Sequence, residues 1–128
     1  MKDALLLVGR ILVAVLFVPA GFGKLMGFSG TVAYIGSHLP MPQVMAVGAI
    51  VVELGVGLAF LVGWKGRSAA LILALFTLVA ALVFHNFWAS PEAQMAAQKL
   101  NFLKNMAIAG GLFFAYAYGP GRYSVDKG

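Results

Sequence analysis

Four long apolar runs divide this chain and constrain its fold more than any other feature. They extend from about Leu5 to Phe22, Gln43 to Val62, Ser68 to Trp88 and Leu100 to Tyr118. At ~1.5 Å of rise per helical residue, each approaches or covers the roughly 30 Å of bilayer hydrocarbon. Backbone groups in lipid must find partners inside the chain, which leaves helices or a closed barrel. The period-2 alternation of barrel strands is absent. The expected fold is therefore all-α: an integral membrane four-helix transmembrane bundle, one domain over residues 1–128, with a short interfacial helix after span one.

Composition excludes the alternatives. The chain is 62% hydrophobic and 10% charged, with a mean hydropathy of +0.94. A small water-soluble domain could not hide that much apolar surface, and a disordered chain would be polar. There is no cysteine, so thiolate metal sites, iron–sulfur clusters and a cysteine nucleophile are excluded. Metal binding has poor support, because His38 and His85 are the only histidines and one lies in a connector. Redox chemistry would need a borrowed cofactor or a diffusible carrier such as a quinone. The net charge of +5 is scattered between spans, the pattern of membrane flanks and not of a nucleic-acid stripe.

Local signals mark the boundaries. Gly63-Trp64-Lys65-Gly66-Arg67 is a tight basic connector that makes spans two and three an antiparallel hairpin. Ser90-Pro91-Glu92 has the form of a helix start, so the last helix extends outward to Pro91. Gly119-Pro120-Gly121 stops it. The connector from Gly23 to Pro42 repeats Phe28, Val32, Ile35 and Leu39 at near-helical spacing, which predicts a short helix lying on the membrane surface or dipping back into it. It is either an interfacial linker or a lid docked over a pocket. Val18-Pro19-Ala20 resembles a signal cleavage site, but Arg10 interrupts the apolar region a signal needs. Four crossings put both termini on the side holding Lys2, Lys65, Arg67, Arg122 and Lys127, and the positive-inside bias makes that side cytoplasmic. Gly55, Ala59 and Gly63, and likewise Ala107, Gly111 and Ala115, recur every fourth position. These stripes predict close packing inside the bundle, with a homo-oligomer seam as the alternative.

Ionisable residues within spans cost about 2.5–3.5 kcal/mol each, so they are the informative ones. Depth along the helices predicts a buried Arg10–Glu53 pair, read either as a scaffold or as the floor of a site. Toward the other membrane face His85, Lys104 and Asn105 share a level, with Lys24 near it. Asn101, Lys104 and Asn105 occupy one helix face. Phe84 and Trp88 flank His85, placed to stack on a flat ligand or to anchor at the interface. With Glu53 the one acid against Arg10, Lys24 and Lys104, the interior reads as cationic and rich in donors. Such a pocket suits a quinone carbonyl, a small oxyanion or a phospholipid head group. In this reading Lys104 and Asn105 hold the acceptor oxygen, His85 exchanges a proton and Glu53 assists it.

Several motifs together carry a family resemblance. Gly21-Phe22-Gly23-Lys24-Leu25, Glu53, Gly63 with Arg67, and Phe84-His85-Asn86-Phe87-Trp88 match one pattern, as do Lys104-Asn105, Gly110-Gly111, Gly119-Pro120-Gly121 and Ser124-Val125-Asp126. The chain resembles the DoxX family of bacterial four-helix inner-membrane proteins. The resemblance implies an inner-membrane location and a link to quinone-coupled redox metabolism, since relatives include a subunit of a thiosulfate:quinone oxidoreductase. It marks Lys24, Glu53, Arg67, His85, Lys104 and Asn105 as the polar candidates. Two readings follow: a redox-associated protein binding a quinone-like or small anionic ligand, or a non-catalytic subunit or assembly factor of a larger membrane redox complex. A solute carrier ranks last, because no pair of matching broken helices is visible.

Overall fold

Helices are the only regular structure among residues 1–127, which the computed structural model describes. Span one is α1, Lys2–Met26. Its buried residues Arg10, Ala14, Phe17 and Gly21 step by three or four and so share one face. The opposite face is apolar and open: Leu12 is 67% and Val15 63% exposed, as lipid contact requires. After a bend at Gly27 the chain forms α2, Phe28–Gly36. The Thr31 hydroxyl bridges the bend, within hydrogen-bonding distance of the carbonyls of Lys24 and Gly27.

Span two is one continuous rod of three pieces: α3, Pro42–Ile50, a π-helical turn over Val51–Val56, and α4, Gly57–Val62. Span three is α5, Gly66–Phe84, which ends at His85 and passes into a 3-10 turn at Phe87–Ala89. The last helix, α6, runs from Glu92 to Tyr118. By length and composition Lys2–Met26, Pro42–Val62 and Gly66–Ala89 are able to cross a membrane. The 27-residue α6 is long enough, but Asn101, Lys104 and Asn105 break its apolar run.

The bundle is built around α5. It packs along α6 on one side and against span two on the other; α1 lies against span two, and α2 folds onto α3. The core joins Phe17, Phe60, Leu73 and Leu112. Ala69, Ala70, Ala74 and Ala81 on α5 are all buried, and their small side chains let neighbouring helices approach closely. The two stripes expected to do this are only partly used. A Cβ on Gly55 or Gly111 would meet nothing within 4 Å, so neither glycine is held by a close neighbour in the bundle.

The α1–span two register overturns the expected Arg10–Glu53 pair. Gly21 abuts Leu54, and Gly57 abuts Phe17 and Val18. Running backward from these contacts, Arg10 falls beside the end of α4, about two helical turns from Glu53. There its guanidinium donates to the carbonyls of Leu61 and Tyr123. The Leu61 carbonyl belongs to the last turn of α4, where the helix dipole favours a cation.

Tyr123 belongs to a C-terminal tail that folds back over this end of the bundle. Val125 N donates to Val62 O at 2.9 Å and Asp126 N to Gly63 O at 3.1 Å. The Asp126 carboxylate accepts from the amides of Lys65 and Gly66 at 3.0 and 2.8 Å, capping the start of α5. Asp3 accepts from Arg122 N, tying the tail to α1. Gly63 is obligatory here: its φ is +75°, and a Cβ would fall 2.2 Å from that of Ser124.

Candidate functional site: a cavity under α2

The middle of the bundle does not close. Between α1, α2, span two and α5 lies a cavity of about 930 Å³, a size that admits a small organic molecule. Its wall is overwhelmingly apolar, with Leu16, Phe17, Ile35, Val52, Phe76 and Val83 among the contributors. The few polar groups are therefore conspicuous.

The first is an ion pair. Lys24 Nζ donates to both carboxylate oxygens of Glu53, at 3.0 and 2.8 Å. Glu53 sits on the π-helical turn and is buried, while the Lys24 side chain remains 34% exposed and lines the cavity. A π turn within an α-helix is uncommon and often marks a functional site. It can approach α1 because Gly21 has no side chain; a Cβ there would lie 2.6 Å from Leu54 N. Sequence reasoning placed Lys24 at the outer edge of span one. The helix continues to Met26 and α2 folds over it, so Lys24 lies beneath a roof.

The second polar group is His85 at the end of α5. Its Nδ1 lies 2.8 Å from Gln98 Oε1 on α6. With the amide oxygen facing it, Nδ1 carries the proton and Nε2 is the free nitrogen. Asn105 lines the same cavity. Thr77 was missed in the sequence because one hydroxyl in a span is unremarkable. It is buried, and Oγ1 donates to Leu73 O at 2.7 Å, which keeps oxygen lone pairs available beside the cavity it lines.

The helix α2 is a docked wall and not a free linker. Ile35 is buried, and Gly30, Thr31, Tyr34 and Ile35 line the cavity. Tyr34 stacks on Phe84 with centroids 5.3 Å apart and planes at 19°; His38 packs on Phe84 at 5.0 Å. This aromatic clasp joins α2 to the end of α5.

Five of the expected site residues thus meet at the cavity: Lys24, Glu53, Phe84, His85 and Asn105. Three do not. Trp88 is 57% exposed and packs edge-on against Phe87 and Phe102. Asn101 and Lys104 are exposed on α6, because α6 turns only Asn105 of that trio toward the cavity. Arg67 sits at the opposite end, where it donates to Tyr118 O and caps α6. The cavity is consequently not cationic as expected. Its lysine is matched by its glutamate, and the pair presents a dipole.

The profile of the DoxX family matches residues 5–86. Inner membrane protein YqjF of Escherichia coli is 39% identical over 99% of this chain and 93% of its own length. Inner membrane protein YphA of the same organism is 35% identical over 98% of this chain and 91% of its own. A more distant relative, the ER-derived vesicles protein ERV29 of Saccharomyces cerevisiae, is 26% identical over 98% of this chain and 34% of its own length. No solved structure matches.

Proposed function

This chain belongs to the DoxX family, and from that premise we propose that it is a redox-associated inner-membrane protein whose cavity binds a quinone-like ligand. Both termini lie in the cytoplasm and the cavity opens toward the outer face of the membrane. The observation that carries this reading is the pairing of an apolar, aromatic-clasped chamber with a single half-buried Lys24–Glu53 dipole. A quinone is a flat apolar ring whose polar atoms are two carbonyl oxygens. An ammonium has three N–H donors; Glu53 takes two, and the third is free for a ligand carbonyl. The Asn105 amide donates to the second oxygen, His85 Nε2 is placed as the acceptor for the hydroxyl proton of the reduced form, and the Phe84 ring supplies a stacking face. A small inorganic anion fits less well, since Glu53 cancels the charge that would hold it. Electrons would enter and leave through a partner, because the chain encodes no redox centre of its own.

A second reading keeps a specific observation in its favour. Asn101 and Lys104 are exposed on α6 within its apolar length, a costly position against bare lipid. A larger membrane partner packed there would shield them, as in a subunit or assembly factor. The two readings separate experimentally. Purified protein titrated with a short-chain benzoquinone should show saturable quenching of Trp88, read in a Trp64→Phe background, and the Lys24→Met variant should not. If quenching is linear in quinone for both proteins, the cavity is no quinone site, and co-purification with a partner becomes the reading to pursue.

A further inference from the structure

A second hollow lies at the terminal end of the bundle, between α1 and α6, with a volume of about 520 Å³. Its walls are apolar side chains of Leu5, Leu6, Val13, Leu112 and Phe114, and Arg10 is the one charged residue among them. Arg10 is only 3% exposed, and its Nε has no hydrogen-bond partner among the described residues. Both Nη atoms are engaged by Leu61 and Tyr123, so Nε is an orphaned donor of a buried cation. A buried cation that keeps an unpaired donor is costly, and a negative charge held in the groove offsets that cost.

The groove is kept open by residues whose smallness nothing in the bundle requires. Gly9 on α1 and Gly111 on α6 both line it, and a Cβ on either would meet nothing within 4 Å. The charge around its mouth is net positive, with Lys2 and Arg122 against the Asp3 carboxylate that accepts from Arg122 N. Lys2 Nζ sits over the ring of Tyr118, a lining residue, and Arg122 follows Pro120 and Gly121 in the overlying tail. Lys2 and Arg10 are about 12 Å apart along α1, and the Arg10 side chain leans back toward the helix start. A charged head at the mouth and an apolar chain over Gly9 and Gly111 therefore fit the same molecule.

We propose that the α1–α6 groove is a binding site for an anionic phospholipid. An acyl chain fills the space over Gly9 and Gly111, the phosphate faces Lys2 and Arg122, and the Arg10 guanidinium beneath adds positive charge. The site is separate from the cavity under α2 and does not depend on the function proposed for it.

Native mass spectrometry of the detergent-purified full chain, titrated with phosphatidylglycerol or phosphatidylcholine of the same acyl composition, tests this. The wild type should bind one phosphatidylglycerol with a preference of about tenfold or more, the factor that two basic side chains confer on a nearby phosphate. Gly111→Leu puts a side chain into the groove from a position where a Cβ meets nothing within 4 Å, and should abolish the adduct while keeping the wild-type elution profile. Lys2→Gln with Arg122→Gln should erase the preference and leave weaker binding of both lipids. Arg10 ties down the tail, so it is a poor first variant. Equal binding of the two lipids by the wild type would overturn the proposal, as would an adduct unchanged in Gly111→Leu. So would displacement of phosphatidylglycerol by equimolar oleate, which would make the ligand a free fatty acid. A dimer peak lost in Gly111→Leu would show a second copy in the groove instead.

Discussion

Removing the Lys24 ammonium tests whether the ion pair under α2 is a built element of the structure. In Lys24→Met the alkyl length is kept, while Glu53 loses its partner in the only salt bridge among the described residues. Breaking a buried pair by deleting one member costs about 3–5 kcal/mol. Glu53 is 9% exposed, but the Lys24 side chain is 34% exposed, so solvent screening brings the expected cost below that range, to about 2–3 kcal/mol. For a chain of this size each kcal/mol moves the midpoint by roughly 3–6 °C, which predicts a fall of about 10 °C. The double variant Lys24→Met with Glu53→Gln leaves no uncompensated charge and should recover half or more of the loss. Tryptophan fluorescence of all proteins in one detergent at one heating rate measures this, the fixed rate being needed because such unfolding is commonly irreversible. If Lys24→Met melts with the wild type, or if the two substitutions simply add, the pair is an accident of two long side chains and the reasoning fails.

Other positions give sharper local outcomes. Gly63→Ala, with φ at +75° and a Cβ driven into Ser124, should lower stability by about 2 kcal/mol or more, and limited proteolysis should then release the tail. Asp126→Ala removes the acceptor for the amides of Lys65 and Gly66, at an expected cost of about 1 kcal/mol in thermal melting. Gly21→Val should disrupt the α1 contact at the π turn and abolish quinone-dependent quenching. Lys104→Ala should leave that quenching unchanged, because Lys104 does not line the cavity; a loss would return Lys104 to the site.

The spans were readable because lipid makes their rule simple: an apolar run of sufficient length must be a helix. The same rule exposed Lys24, Glu53 and His85 as residues needing a reason. What could not be read was helix register. Depth counted from approximate span ends gave Glu53 to Arg10, whereas the fit of Gly21 against Leu54 gives it to Lys24. Rotation of α6 about its axis was equally hidden, since one step separates Asn105, facing the cavity, from Lys104, facing out. The spacing of Phe28, Val32, Ile35 and Leu39 correctly predicted a helix after span one. Only the stacking of Tyr34 on Phe84 shows that it roofs a chamber. The tail gave no periodic signal at all, because its attachment rests on backbone hydrogen bonds and one capping aspartate.

Photoaffinity labelling of the purified protein with an azido-substituted benzoquinone, mapped by peptide mass spectrometry, reaches the central proposal most directly. The label should concentrate on α2 and the end of α5, at Tyr34, Phe84 and their neighbours, should be displaced by unlabelled quinone, and should vanish in Lys24→Met. Label spread over the lipid-facing residues of α1 and α6, indifferent to competitor and to Lys24, would contradict the account.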